Sequence, residues 1–168
     1  MKIYTKRGDM GQTDLLTKRV SKSDLHISVN GAFDEVMAFL LMAKHHILMD
    51  EVNDDINHIY DHLFSICHEI ALNDENKYIT KEEQVKWLES RLDYYDSYLE
   101  PLHKFIKLDQ TKAASWLNVV RVTVRRAERE LISLNEQQKL NIQTLSYINR
   151  LSDFLFTIAR YFDEVHKV

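Results

Sequence analysis

Arginine side chains between positions 121 and 129 form the densest group in the chain that could do chemistry. Arg121, Arg125 and Arg129 recur every four residues, so on a helix they share one stripe. Glu128 is the single carboxylate among them, which leaves guanidinium groups without an acidic neighbour. Guanidinium groups bind phosphate oxygens through paired hydrogen bonds. The stripe therefore predicts either a polyphosphate site or a solvated charged face, and by itself it favours the solvated face.

A second stripe mixes polar and aromatic residues further along the chain. Asparagine and aspartate beside an aromatic ring in mid-helix could line a polar cleft. Taken alone, however, the pattern favours an ordinary structural face. The other side of the same segment is apolar and predicts a core face. The stripe consists of Asn149, Asp153, Phe156 and Arg160, at spacings of four, three and four.

The N-terminal segment over residues 5–13 contains two glycines between two hydroxyl side chains. Gly8 and Gly11 allow close approach of a ligand to the backbone, and Thr5 and Thr13 stand at the ends. Backbone N–H groups in such a segment can surround an anion. The segment lacks the Walker P-loop pattern. Two glycines three residues apart, taken alone, favour an ordinary turn over an anion site.

Apolar residues at spacings of three and four predict the elements that must position these groups. Ser23 or Asp24 can cap a first helix, and Thr80 with Glu83 forms a capping-box pattern before a third. Pro101 is the only proline, and all three glycines lie in the first 31 residues, so breakers are few. Five helices are predicted, over about residues 24–49, 51–72, 80–99, 111–134 and 141–165.

Helices of this length predict an all-α fold, a five-helix antiparallel bundle. We expect one domain over residues 1–168. Its first 23 residues form a non-helical, glycine-bearing segment that precedes the helices, and residues 1–5 of this segment are expected to be extended. The size of 168 residues is sufficient for a sizeable core.

Composition excludes several classes of protein. The net charge of −4 argues against general nucleic-acid binding, which needs a basic excess. We expect no membrane span, because no apolar run approaches the ~20 residues that a span needs, and no signal peptide. A single cysteine, Cys67, suits a reducing cytoplasm and is expected to be a buried, inert thiol. His58 and His62 could share a metal ion, but solvent-exposed histidines are the simpler expectation.

The segments are more informative together than alone, and their combination closely resembles the PduO-type ATP:cob(I)alamin adenosyltransferases, also called corrinoid adenosyltransferases. The resemblance extends over nearly the whole chain. The residues that carry it are, in order, Tyr4-Thr5-x-x-Gly8-Asp9-x-Gly11-x-Thr13; Val20-Ser21-Lys22 with Gly31-x-x-Asp34-Glu35; and Arg121-x-x-x-Arg125-Arg126-Ala127-Glu128-Arg129 with Tyr147-Ile148-Asn149-Arg150-Leu151-Ser152-Asp153.

The resemblance implies a five-helix bundle that forms a homotrimer with active sites between subunits. It implies transfer of the 5′-deoxyadenosyl group of ATP to the cobalt of cob(I)alamin, with release of triphosphate. Mg²⁺ is expected on the triphosphate, with no ligand assigned among the protein side chains. A reductase that supplies cob(I)alamin and an enzyme that uses adenosylcobalamin are the implied protein partners.

Residue roles are implied in the same way. Asp34 and Arg121 match a pair that bridges subunits, Phe105 matches an aromatic that displaces the lower axial ligand, and Phe156 and Asp153 match the corrinoid pocket. With Arg125, the residues Asp34, Arg121 and Phe105 are the expected catalytic set. The triphosphate would contact Thr5, Lys6, Arg7, Gly8, Asp9, Gly11, Thr13 and Lys22 of one subunit, and Arg125, Glu128, Arg129 and Asn149 of its neighbour.

Five features depart from the family's pattern, and two of them are on the first helix, where Asn30 replaces an aromatic and Val36-Met37 replaces Leu-Asn. Met10 replaces a lysine, Asp14 adds a carboxylate beside the expected phosphate site, and the turn after Phe105 lacks the usual Leu-Pro-Gly-Gly sequence. These departures leave open a non-catalytic ATP- or corrinoid-binding protein of the same fold. A purely structural helical oligomer is the third alternative.

Overall fold

Five helices and one short hairpin make up the computed structural model, which describes residues 2–16 and 18–165. The bundle predicted from apolar spacing is confirmed. A short 3-10 turn, Glu75–Lys77, follows the second helix. The helices are α1 Leu25–Lys44, α2 Asp50–Leu72, α3 Glu82–Asp96, α4 Lys112–Gln137 and α5 Ile142–Glu164, and the strands are β1 Gln12–Leu15 and β2 Lys18–Ser21.

Helix α4 lies at the centre of the packing, between α1 and α5. Helix α3 packs on the other side of α5, and α2 packs on α1. Fully buried apolar residues from all five helices form one core, because each helix turns its apolar stripe inward. Representative members are Phe33 of α1, Leu63 of α2, Leu88 of α3, Val124 of α4 and Phe154 of α5.

Helix α1 begins as predicted and ends earlier than predicted. The side chain of Asp24 caps it by accepting a hydrogen bond from the backbone N–H of His26 at 2.9 Å. The predicted end near Met49 is wrong, because the N–H groups of residues 45–47 bond back by three residues and tighten the last turn. Ile47 is buried just beyond that turn, which holds the link to α2 against the core.

The predicted Thr80 cap of α3 is also wrong. Thr80 is buried, and its N–H donates to Glu69 Oε2 at 2.8 Å. The helix begins at Glu82, and the N–H of Lys81 donates to Gln84 Oε1 at 2.8 Å instead. The buried Glu69 carboxylate thus fixes the connection between α2 and α3.

The hairpin of β1 and β2 was not predicted. Its strands pair antiparallel, with Gln12 opposite Ser21 and Leu15 opposite Lys18. Most of its side chains are exposed, so the sequence carries no strong apolar alternation to mark it. Residues 2–5, predicted to be extended, form no strand, and Met1 lies outside the described residues.

Helix α1 is long and apolar enough to pass a length-and-composition test for a membrane span, contrary to the sequence expectation. A third of that segment is buried inside the bundle. Phe33, Val36 and Leu40 are fully buried. Packing against the neighbouring helices therefore accounts for the buried third of α1, while Leu41 and Met42 stay exposed.

Candidate functional site

A cleft of about 540 Å³ opens between α3, α4 and α5. Its walls combine charged side chains from all three helices with a few apolar ones. Four predicted site residues, Arg121, Arg125, Asp153 and Phe156, line it together. The others are Glu89, Leu92, Asp93, Arg150, Ser152 and Thr157.

Arg121 and Arg125 make the α4 wall of the cleft positively charged. Arg121 Nε donates to Asn118 Oδ1 at 3.0 Å, and its guanidinium lies 6.0 Å from the centre of the Phe156 ring. Burial, and then the charge of Arg125, lower the pKa of Arg121. Within residues 2–16 and 18–165, neither arginine has a carboxylate within 4.0 Å. Two uncompensated guanidinium groups at one wall are suited to an anion.

The opposite wall carries the carboxylates of Glu89, Asp93 and Asp153 and one arginine, Arg150, which is ion-paired. Arg150 Nε lies 3.1 Å from Glu89 Oε1, and Arg150 Nη1 lies 3.2 Å from Asp153 Oδ2. The sequence analysis missed the contribution of α3, because nothing in the α3 sequence indicates which of its carboxylates faces the cleft. Arg150 could have been found, since it stands between Asn149 and Leu151 in the motif.

The remaining predicted residues of α4 and α5 lie outside the lining of the cleft. Arg129 Nη1 donates to the carbonyl of Arg125 at 3.1 Å, and Glu128 is half-buried one residue before it. Asn149 is exposed on α5. Arg126 pairs with Glu35 of α1 and faces away from the cleft.

Arg160, the last member of the predicted α5 stripe, is not a cleft residue. It is buried, and its Nη2 donates to the carbonyl of Glu100 at 2.9 Å. The stripe prediction is wrong at this position because the link between α3 and α4 covers that end of α5.

The N-terminal segment forms a tight loop closed by the hairpin. The N–H of Lys22 donates to the carbonyl of Gly11 at 2.9 Å, and the N–H of Gly11 donates to the carbonyl of Gly8 at 3.1 Å. Gly11 has a φ of 76°, which favours glycine. A Cβ at Gly8 would lie 3.2 Å from Lys22 Nζ. Lys22 and the two glycines are therefore neighbours, as the resemblance implied.

Asp14 is neutralised inside this segment. Arg7 Nη2 lies 3.2 Å from its carboxylate, and Arg19 Nη1 lies 2.9 Å from Oδ1. The N–H of Arg7 also contacts Thr5 Oγ1 at 3.4 Å. Two arginines around one carboxylate leave an excess positive charge, so Asp14 does not make the loop anionic.

No bond joins the N-terminal segment to the arginine wall within the described residues of one chain. In the described ranges, no side-chain hydrogen bond or ion pair of residues 2–16 reaches α4 or α5. Asp34, exposed on α1, makes no ion pair there with Arg121 either. Phe105 is fully exposed in the link between α3 and α4.

Histidine and cysteine side chains supply no metal cluster in the part of the chain that the structure describes. The expectation that both helix-α2 histidines are exposed is wrong for His62, which packs edge-on against Tyr147 with ring centres 4.5 Å apart. Burial, and then the charge of His58, lower the pKa of His62 to about 4. Cys67 is half-buried and not fully buried as predicted. Burial, and then the charge of Asp34, raise the pKa of Cys67 to about 12, which disfavours the reactive thiolate.

A five-helix bundle with an arginine-lined cleft and a glycine loop defines a helical class of protein whose cleft is suited to an anion. The family model described as cobalamin adenosyltransferase matches residues 3–162. The chain therefore belongs to the cobalamin adenosyltransferase family.

Known proteins similar to the chain agree with this assignment. A corrinoid adenosyltransferase of Bacillus subtilis (strain 168) is 36% identical over 95% of this chain and 86% of its own length. The human corrinoid adenosyltransferase MMAB is 33% identical over 95% of this chain and 68% of its own length. The chain spans 49% of the longer PduO protein of Salmonella typhimurium, at 36% identity.

Solved structures show the same fold. A variant PduO-type ATP:corrinoid adenosyltransferase from Lactobacillus reuteri, complexed with cobalamin and ATP, superposes with a TM-score of 0.90 at 33% identity. The superposition covers 99% of this chain and 93% of that one.

Proposed function

We propose that the chain transfers the 5′-deoxyadenosyl group of ATP to cob(I)alamin, giving adenosylcobalamin and triphosphate. The observation that carries the proposal is the pair of cleft guanidinium groups, Arg121 and Arg125, that have no carboxylate partner within 4.0 Å among the residues described. Family membership supplies the reaction class.

The triphosphate of ATP is bound from two sides in this proposal. Lys22 and the N–H groups around Gly8 and Gly11 contact its oxygens from the N-terminal segment, with Thr5, Lys6, Arg7, Asp9 and Thr13 completing that side. The arginine wall contacts it from the other side, through Arg125 and Arg129, with Glu128 and Asn149 holding the rest of the nucleotide. Residues 1–23 thus act as the nucleotide-binding segment of a single domain.

The chemical step needs no base from the protein. The cobalt lone pair of cob(I)alamin attacks the 5′-carbon of ATP, a cobalt–carbon bond forms, and the carbon–oxygen bond breaks. Its electron pair leaves with the triphosphate. The protein contributes orientation of the 5′-carbon in line with cobalt and positive charge around the leaving group.

Mg²⁺ fits the proposed site through the phosphates. No group of three or more histidine, cysteine or acidic side chains converges on it in residues 2–16 and 18–165. Mg²⁺ commonly binds through phosphate oxygens and water with few protein ligands. When bound, it would neutralise charge on the triphosphate, alongside Lys22 and Arg125.

Aromatic residues serve the corrinoid end of the site. Phe105 is fully exposed, so its ring is free to press against the lower face of the corrinoid and exclude a nitrogen ligand from cobalt. Phe156 lies at the cleft beneath Arg121, and Asp153 lies beside it. Removing the lower ligand makes reduction of cob(II)alamin to cob(I)alamin easier.

A homotrimer with sites between subunits is part of the proposal. Within residues 2–16 and 18–165 of one chain, no hydrogen bond or ion pair joins the N-terminal segment to the arginine wall, or Asp34 to Arg121. Helices α1 and α2 also expose apolar side chains suited to a subunit contact, namely Leu41, Met42 and Phe64. Light scattering should give three times the mass of one chain, and a monomer at micromolar concentration would exclude the trimer.

The cell supplies the rest of the reaction sequence. A reductase must deliver one electron to cob(II)alamin, and an adenosylcobalamin-dependent enzyme must receive the product. We also propose a cytoplasmic location, which the single thiol and the reducing environment that cob(I)alamin needs support.

The experiment mixes purified chain with ATP, Mg²⁺ and chemically reduced cobalamin under anaerobic conditions. Formation of the adenosylcobalamin absorption spectrum, with one triphosphate released per corrinoid, supports the proposal. The second candidate is a protein that binds ATP or a corrinoid without transfer. Met10, 91% exposed where the family has a lysine, favours it. ATP binding without any adenosylcobalamin would establish the second candidate.

A further inference from the structure

Both ends of the link that carries Phe105 are anchored on the last turns of α5. At one end, Arg160 Nη2 donates to the carbonyl of Glu100 at 2.9 Å. At the other end, the N–H and the hydroxyl of Thr111 donate to Asp163 Oδ1 at 2.8 and 3.1 Å. Arg160 and Asp163 are three residues apart, so they share one face of the helix.

The two anchoring groups are buried, which is unusual for charged side chains. Arg160 is 6% exposed and Asp163 is 5% exposed. Glu164 accepts from Arg160 Nε at 2.9 Å and from Nη2 at 3.2 Å, so the guanidinium is neutralised within α5. Burial of charge costs desolvation energy, and apolar residues of similar size often stabilise a fold as well or better. Both groups fix the ends of the link through these bonds, and the buried Asp163 Oδ2 has no hydrogen-bond partner among the described residues.

The segment between the anchors is held against the core at Ile106, which is half-buried, and at Leu108, and it is exposed elsewhere. Leu108 is buried, and Ser115 Oγ donates to its carbonyl at 3.5 Å. Phe105, three residues earlier, is fully exposed. A large apolar ring in that position has no packing of its own to fix it, so its place depends on the backbone of the link.

We infer that Arg160 and Asp163 are positioning residues that set the link so that Phe105 meets the corrinoid. The inference rests on the proposed function. The two residues touch neither ATP nor corrinoid, and they act through the backbone at Glu100 and Thr111. They should therefore affect the corrinoid step and leave the nucleotide site unchanged.

The test compares truncating and conservative variants of the full chain. Arg160→Met and Asp163→Ala remove the anchoring bonds. Arg160→Lys keeps a donor, and Asp163→Asn keeps an acceptor. The truncations should slow adenosylcobalamin formation from cob(II)alamin and a reductant on the order of 100-fold, because small displacements of a reacting group have effects of that size. The conservative variants should recover most of the rate.

Two further readouts separate positioning from general damage. With ATP bound, the wild-type chain should convert cob(II)alamin to the spectroscopic form that lacks the lower ligand, and the truncations should lose it as Phe105→Ala does. The Kd for ATP should change by less than about twofold. Arg160→Met combined with Phe105→Ala should be no slower than Phe105→Ala alone, since both act on one group. Lys86→Met, which removes an exposed cation on α3, is the matched control and should behave as the wild type.

The outcomes are distinct. Wild-type spectra and rates in the truncations, or losses that multiply in the double variant, would overturn the inference. If one truncation does not fold, the other decides, and Glu164→Gln, which removes the ion pair of Arg160, gives the same readouts in a milder form. A wild-type chain that binds both substrates and transfers nothing would overturn the proposed function. The spectral form of bound cob(II)alamin and its loss in the variants would then still decide the inference.

Discussion

The ammonium group of Lys22 lies against the α-carbon of Gly8, so that a Cβ at Gly8 would be 3.2 Å from Nζ and 3.4 Å from Cε. This contact places a cation directly beside the glycine loop. A methyl group at position 8 would displace the lysine from the surface that the proposal assigns to the triphosphate.

Gly8→Ala should therefore weaken ATP binding and leave the fold intact. The end of a lysine side chain moves easily, so the free energy of unfolding should change by less than ~0.5 kcal/mol. The Kd for ATP should rise roughly tenfold, equivalent to about 1.4 kcal/mol. Calorimetric titration checks this, and an unchanged Kd would show that Lys22 does not contact the nucleotide in this arrangement.

Arg125→Met should abolish detectable ATP binding at micromolar protein. The guanidinium has no carboxylate partner within 4.0 Å among the described residues, so its removal leaves no carboxylate unpaired. The free energy of unfolding should therefore change by less than ~1 kcal/mol. Arg125→Lys keeps the charge but loses the paired hydrogen bonds, and it should bind with intermediate affinity. Lys86→Met is again the matched control. Normal ATP binding by Arg125→Met would exclude this residue from the nucleotide site.

Phe105→Ala should separate the corrinoid step from folding. The ring is fully exposed, so its loss should not lower the midpoint of thermal unfolding. Conversion starting from cob(II)alamin should fall by orders of magnitude, whereas conversion starting from preformed cob(I)alamin should fall much less, because the ring acts on reduction. Stopped-flow absorbance measures both rates. Equal losses in the two assays would contradict this role.

His62 should make the fold sensitive to acid. Burial lowers its pKa from 6.5 to about 4, so between those values the unfolded chain binds more protons than the folded chain. The stability contributed by the neutral ring is present above about pH 6.5 and is lost as the pH falls toward 4. The loss should approach ~3 kcal/mol from this group.

Denaturant unfolding of the wild type and His62→Gln across that pH range measures this effect. His62→Gln should show the shallower dependence, and His58→Gln, which removes the neighbouring charge but keeps the buried ring, should lie between it and the wild type. Equal slopes for the wild type and His62→Gln would assign the acid sensitivity to other groups.

The bundle was predictable because its helices carry clear apolar periodicity, and α4 and α5 begin within a residue of their predicted starts. The hairpin was not predictable, since the strands Gln12–Leu15 and Lys18–Ser21 are short and largely exposed. Thr80 matched a local capping pattern, but its N–H donates to the buried carboxylate of Glu69, eleven residues earlier in the chain. Local patterns do not reveal such tertiary competitors.

The site was predictable where spacing on one helix determines the neighbours. Arg121 and Arg125 line one cleft as their four-residue spacing indicates. Glu89 could not be assigned, because its place depends on how α3 packs against α5. Arg160 fits the α5 spacing, yet it is buried beneath the link, whose path the sequence does not determine.

Subunit mixing tests the central claim, that the glycine loop of one subunit and the arginine wall of another form each site. Lys22→Met and Arg125→Met chains should each be inactive alone. In trimers formed from an equal mixture, about a quarter of the interfaces should join an intact loop to an intact wall, and about a quarter of the wild-type adenosylcobalamin activity should return. Complete inactivity of verified mixed trimers would place the loop and the wall of each site in the same chain and would contradict the account.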